Sequence, residues 1–147
     1  MANLVVRSLS SLSEVREAEW NSLLTPFDNA FVDWRFLQAL EQSGCVGQEA
    51  GFVPCHLTVR QGGTLVAAAP AYVKFDSDGD FSRDWEWAAA AERAGLPYYP
   101  KLVLGVPFTP VTGRRILCAA GADEAPLFDA VLAAARELCR RHGLRSE

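Results

Sequence analysis

Excess positive charge, metal-ligand spacing and long apolar runs are all scarce in this 147-residue chain, and each scarcity removes a class of function. Fourteen Lys and Arg stand against eighteen Asp and Glu, a formal charge of −4. A binder of nucleic-acid backbone usually presents a basic face, so DNA is not expected as a partner. The only local concentrations of positive charge are Arg114-Arg115 and the set Arg136, Arg140 and Arg141. The four cysteines, Cys45, Cys55, Cys118 and Cys139, follow no C-x-x-C spacing, which argues against a structural zinc or a disulfide framework. They are expected to be buried free thiols in a reducing compartment. No apolar run reaches membrane-spanning length, and Met-Ala-Asn-Leu-Val-Val-Arg-Ser does not read as a signal peptide, so the expected location is cytoplasmic. There is no P-loop and no Ser-His-Asp arrangement.

What is present suits one globular domain over residues 1–147: half the residues are hydrophobic and 22% are charged. Leu4 to Val6 reads as an opening strand. Ser11-Leu12-Ser13-Glu14 offers caps for a helix from Val15 to Leu24, ended by Pro26. Asn29 or Asp33 can cap a second helix carrying Phe36, Leu37 and Leu40, stopped at Gly44. His56 to Arg60 and Thr64 to Ala69, joined at Gln61-Gly62-Gly63, read as a β-hairpin whose second strand can continue past Pro70 through Ala71 to Val73. A polar loop runs from Phe75 to Ser82, and a short helix follows from Asp84-Trp85 to near Gly95. Leu102 to Val106 forms an apolar strand bracketed by Pro97, Pro100, Pro107 and Pro110, which cannot donate to a central ladder. A second strand lies within Arg114 to Ala119. The longest helix spans Pro126 to His142, capped by Asp123 or Glu124 and stopped at Gly143, with Leu127, Val131, Leu132, Ala135 and Leu138 as its buried stripe. In an α/β protein the strand packed against such a helix normally follows it. Its absence before Glu147 gives the expectation of a domain incomplete at its C-terminus, with an unpaired sheet edge through which copies can associate.

Three segments carry a family resemblance: Phe27 to Gly47, with Trp34, Leu37, Leu40, Glu41 and Ser43 to Gly47; Pro54-Cys55-His56-Leu57; and Asp84-Trp85 through Tyr98-Tyr99-Pro100-Lys101-Leu102 to Pro107-Phe108-Thr109-Pro110-Val111-Thr112-Gly113. With them the chain resembles the FemAB-like predicted N-acyltransferases, labelled peptidoglycan biosynthesis/recognition. The resemblance implies a GNAT-like α/β fold, a mixed sheet flanked by helices, of which this chain is an N-terminal portion. It implies transfer of an acyl or aminoacyl group to an amine, with acyl-CoA or aminoacyl-tRNA as co-substrate and a small-molecule or peptide-like acceptor. Where the family has a His-Ser-x-Gly-Glu-Phe loop, this chain has Asp76-Ser77-Asp78-Gly79-Asp80-Phe81. The coenzyme-A signature at a helix N-terminus is also missing, with Asp123-Glu124 standing where pyrophosphate would lie. No cofactor is therefore expected from a recognisable motif. Both departures favour the alternative of a non-catalytic recognition module or an inactive fragment.

The candidate site residues are Asp84, Trp85, Tyr98, Tyr99, Lys101, Phe108 and Thr109. Aromatics with a carboxylate and an ammonium, joined by Trp87, can line a cleft for a peptide-like or sugar-containing acceptor. The structural alternative is that Asp84 caps its helix while the aromatics pack beneath the loop. Thr109 and Thr112 offer hydroxyls at a strand end, or turn hydrogen bonds. Asp76, Asp78 and Asp80 lack the Gly and Glu positions of an EF-hand and read as a solvated loop, so no metal is expected. His56 reads as a satisfied histidine beside the sheet before a general base, and His142 as a helix-end partner. No catalytic residue is assigned.

Overall fold

The computed structural model describes residues 3–81 and 83–145. The expected loop end at Ser82, the first two residues, and the tail residues Ser146 and Glu147 lie outside the described residues. The strands are β1 (Leu4–Leu9), β2 (Phe52–Pro54), β3 (His56–Gln61), β4 (Thr64–Ala69), β5 (Ala71–Lys74), β6 (Lys101–Leu104) and β7 (Leu117–Cys118). The α-helices are α1 (Glu17–Asn21), α2 (Trp34–Gln42), α3 (Trp85–Arg93) and α4 (Glu124–His142).

The helix expected from Val15 to Leu24 is shortened to Glu17–Asn21. Ser11 accepts from the Ser13 N–H while the Glu14 carboxylate takes the Ser10 and Ser11 N–H groups. This capping box closes a 3-10 turn over Leu12–Glu14, Val15 leaves it extended, and α1 starts afresh at Glu17. Both expected caps of the next helical region are used, on successive elements. Asn29 accepts from Phe31 N–H at a 3-10 turn, and Asp33 accepts from Arg35 N–H at α2.

The sheet is not one mixed sheet as expected but two antiparallel ones, β1-β3-β4-β7 and β2-β5-β6. Pro70 explains the division. It has no N–H for the ladder, so the strand that was expected to run on through Val73 changes sheets there. Its carbonyl instead accepts from Gly105 N–H at 3.0 Å, and Cys55 N–H reaches Ala71 O at 2.8 Å. Chain neighbours Pro54 to His56 switch sheets at the same level, which creates β2, a strand not anticipated. Gly51, at φ +72°, permits the turn into the start of β2: a Cβ there would lie 2.7 Å from Asp76 Oδ2.

The first sheet is covered on both faces. Ala68 and Leu117 face Leu12, Trp20 and Leu37, whereas Ala67 and Cys118 face Leu127, Val131 and Ala135 of α4. Burial on both faces accounts for the unbroken apolar run of β4. Trp20 is fully buried and its indole N–H donates to Val32 O at 2.9 Å. The α4 stripe holds for Leu127, Val131 and Ala135, but Leu132 is 39% exposed because it turns past the edge of the packed face. Of the four thiols only Cys118 is buried, and Cys45 is exposed, correcting the expectation of four buried thiols. No described helix is long and apolar enough to cross a membrane.

Gly143, at φ +61°, ends α4 in a left-handed cap. The chain then meets β6 in a parallel bridge between Lys101 and Arg145. Leu102 N–H donates to Arg145 O at 2.8 Å, and Arg145 N–H donates to Pro100 O at 2.7 Å. The chain after α4 thus pairs with the outer edge of β6 at this point, where an unpaired sheet edge was expected.

Candidate functional site

The centre of the candidate site is the Asp84 carboxylate, 14% exposed, just before α3. It makes no capping hydrogen bond to α3 among the described residues. Instead Oδ1 accepts from Ser77 Oγ and from the Tyr99 hydroxyl at 2.9 Å. Oδ2 accepts from the Tyr98 hydroxyl at 2.9 Å and from Lys101 Nζ at 2.6 Å. A second ammonium, Lys74 Nζ, lies 3.6 Å from Oδ1 and 2.7 Å from Asp80 Oδ2. Lys74 and Lys101 are direct partners in the β5–β6 register, so both ammoniums arise on one face of that sheet. Two like charges side by side need the carboxylates between them.

The network fixes its own protonation. Burial works against the Asp84 charge, but hydrogen bonds from Lys101, Tyr99 and Tyr98 outweigh it and hold the carboxyl at about 2. Burial also opposes the Lys101 charge, and the contacts to Asp84 and Tyr98 more than offset it, raising the ammonium above its ordinary value. Burial, together with the neighbouring carboxylate, pushes the Tyr99 hydroxyl up to about 12. Tyr98 and Tyr99 therefore remain hydroxyl donors, with rings edge-to-face at 4.9 Å. Lys101 Nζ sits 4.1 Å from the centre of the Tyr98 ring.

On one side of this network a cleft of about 550 Å³ follows β6. Leu102, Leu104 and Val106 line it with Leu132 and Ala135 of α4, and Lys74 and Lys101 stand at its polar end. Its far end is the corner Pro107-Phe108-Thr109-Pro110. Phe108 adopts φ +60°, a costly conformation for a bulky residue, and its ring packs on Phe52 at 5.0 Å. The Tyr99–Pro100 peptide is cis.

The structure therefore brings Asp84, Tyr98, Tyr99 and Lys101 into direct contact. Thr109 lines the cleft, but its hydroxyl donates to Pro107 O at 3.0 Å in the turn. Phe108 supports the corner through Phe52. Trp85 points elsewhere: 53% exposed, it lines a separate groove with Tyr98 and Tyr99. Trp87 is 73% exposed and lines neither cavity. Sequence reasoning missed Lys74 and Ser77. Lys74 is a lone cation ending an apolar strand, and only the β5–β6 register reveals its position.

His56 is fully buried, away from the cleft. Its Nδ1 accepts from Ala71 N–H at 3.2 Å and its Nε2 donates to Glu41 Oε1 at 3.0 Å. Burial lowers its pKa despite Glu41, so it is a neutral structural histidine. Asp76 accepts from Asp78 N–H within the loop, while Asp80 reaches Lys74. Among the described residues no group of three His, Cys, Asp or Glu side chains is placed to hold a metal ion. Asp123 is spent on Ala125 N–H at the start of α4.

No curated protein and no solved structure matches the chain significantly. Residues 11–147 match the model of a family described as FemAB-like, peptidoglycan biosynthesis/recognition. That match takes in all three segments of the resemblance, the Asp84 network and both walls of the cleft, and the chain belongs to the FemAB-like family.

Proposed function

We propose that the chain forms a GNAT-like portion of a peptidoglycan-directed N-acyltransferase, with the cleft beside β6 as the place of transfer. The observation that carries this reading is the edge of β6. Arg145 pairs with it at Leu102, and the cleft then opens along Leu102 to Val106. Gly105 N–H points inward to Pro70 and Leu102 N–H outward to Arg145. The alternation of a strand therefore turns Leu104 N–H toward the outer edge. A splayed strand of this kind offers a backbone donor to the oxyanion that develops when an amine attacks an acyl carbon. The element order supports the same fold. Two helices separate β1 from β3, β4 and β7 complete the antiparallel sheet, and α4 leads back to a parallel pairing.

In the transfer the amine nitrogen bonds to the acyl carbon and the bond to the tRNA oxygen, or to the coenzyme sulfur, breaks. The amine gives up a proton, and the donor leaves as a hydroxyl or thiol. The chain's own contribution is positioning: Lys74 and Lys101 hold the polar end, and the apolar wall excludes water. A recognition module is the second reading, favoured by one observation. Both carboxylates that line the cleft, Asp80 and Asp84, are paired with lysines, which makes each a poor acceptor for the amine's proton.

The test is incubation of the chain with labelled aminoacyl-tRNA or acetyl-CoA and a muramyl pentapeptide, with product followed by mass spectrometry. Amide formation is the expected result. Muropeptide binding without transfer from either donor establishes the recognition reading, and absence of both binding and transfer overturns the proposal.

A further inference from the structure

The tyrosine pair has a second side. Behind it lies a groove of about 450 Å³, lined by Trp85, Glu92, Leu96, Pro97, Tyr98 and Tyr99. Its helix, α3, has no buried residue among those described, while Trp85 is half exposed and Leu96 largely so. An aromatic surface kept exposed on a helix that contributes nothing to the core is the mark of a binding surface. The tyrosine wall of the groove is fixed. Tyr98 and Tyr99 are tied to Asp84 by their hydroxyls, and Arg83 lies 6.0 Å from the Trp85 ring. Little entropy of the two tyrosine side chains then remains to be lost on binding.

We propose that this groove binds a pyranose ring of a peptidoglycan-type saccharide, stacked on Trp85 with a ring hydroxyl donated to Glu92. The choice of saccharide rests on the peptidoglycan reading above; the place and the residues come from the groove. A pyranose presents a face of C–H bonds and a rim of hydroxyls, which matches an indole face beside a carboxylate. A bound peptide strand would need a free strand edge, but the wall here is a helix whose backbone groups past its first turn are engaged in its own hydrogen bonds. An anionic membrane surface would need an excess of cations, whereas Arg83 and Arg93 here are matched by Glu86 and Glu92. Tyr98 and Tyr99 line this groove and are hydrogen-bonded to Asp84 and Lys101, which line the β6 cleft, so a saccharide here lies beside the place where its attached peptide would be modified.

The probe is tri-N-acetylglucosamine, titrated into the full chain and followed by saturation-transfer NMR and tryptophan fluorescence. Saturable binding is expected, weakened about tenfold in Trp85→Ala, the upper range for an aromatic contact. Trp85→Phe restores most of it, Glu92→Gln weakens it severalfold, and Trp87→Ala on the same helix leaves it unchanged. Circular dichroism confirms that each variant is folded. No saturable binding up to about 10 mM overturns the proposal, as does equal weakening by Trp87→Ala. Dimerisation or vesicle binding that depends on Trp85, without saccharide binding, overturns it in favour of another occupant. Saccharide binding without acyl transfer leaves this site standing while the transferase reading fails. Transfer in which Trp85→Ala impairs a sugar-free pentapeptide and a muropeptide equally removes the saccharide site alone.

Discussion

Asp84→Asn separates two roles that its position before α3 would allow. Asn is as good an N-cap as Asp, so if Asp84 merely capped the helix the substitution would cost a few tenths of a kcal/mol. The structure gives it a different task. Its two oxygens accept from Ser77, Tyr99, Tyr98 and Lys101, and Lys74 lies 3.6 Å away. Asn keeps one acceptor and turns an amide donor toward the other two donors. Two charge-assisted hydrogen bonds, at about 1.5–3 kcal/mol each, are lost. Ser77 and Tyr99 can still satisfy each other across 2.6 Å, which recovers part of the loss. The expected cost is about 3 kcal/mol, or a fall in Tm of roughly 6–12 °C for a chain of this length. Urea unfolding followed by tryptophan fluorescence measures it. A second signature is the pH dependence. The folded carboxyl sits at about 2 against an ordinary 3.8, so its stabilisation is fully present above 3.8 and is lost as pH falls toward 2. The whole shift corresponds to roughly 2.4 kcal/mol, which solvent screening reduces to about 1–2 kcal/mol. The wild-type advantage over Asp84→Asn should shrink through that window. A variant within about 0.5 kcal/mol of wild type at pH 7, with no such narrowing, refutes the hub.

Arg114→Met should cost about 2 kcal/mol in urea unfolding, because Arg114 holds the buried Asp28 carboxylate and Leu23 O. Arg114 holds Asp28 at about 2, so that contribution should vanish as pH falls from 3.8 toward 2. His56 is buried with a lowered pKa, so the unfolded chain takes up its proton first. Wild-type stability should fall as pH drops below 6.5, and His56→Gln, although less stable at neutral pH, should lack that segment of the curve. On α4, Leu127→Ala should cost about 2–4 kcal/mol, whereas Leu132→Ala should stay within about 0.5 kcal/mol and alter only ligand binding in the cleft, again read by urea unfolding and titration. At Phe108, Gly should be more stable than Ala by about 1 kcal/mol, the reverse of the usual loop preference, because both lose the ring but only Gly relieves φ +60°.

Local chemistry made several elements legible in advance. Asp123 and Gly143 bracket α4, Gly62-Gly63 marks the β3–β4 hairpin, and Asp33 starts α2. What escaped was set by competition between local and distant partners. The Glu14 carboxylate prefers Ser10 and Ser11 to a longer helix, and no periodicity reports that choice. The change of sheet at Pro70 depends on a second corner at Pro54 to His56, fifteen residues away in sequence and adjacent in space. Likewise β2 is too short to carry a period and exists only because β5 is there to pair with it.

The site divided along the same line. Tyr98, Tyr99 and Lys101 are near neighbours in sequence, and Asp84 opens the helix that precedes them, so their association followed from one strand and one turn. Lys74 joined through the β5–β6 register, which depends on the whole second sheet, and Ser77 through the loop that leaves β5. Their presence changes what Asp84 can do. A carboxylate facing only Lys101 would keep a lone pair for an incoming amine or hydroxyl. One shared by two ammoniums and three hydroxyls is held by the fold itself, and withdrawing it to accept a substrate proton would take the carboxylate from Lys101 and leave Asp80 alone to offset Lys74 beside it. Asp84 is thus a fastener between two cavities. In the transfer reading, stabilisation of the developing charge falls to the backbone edge of β6 and the two lysines, and the aromatic rings decide which acceptor lies beside them.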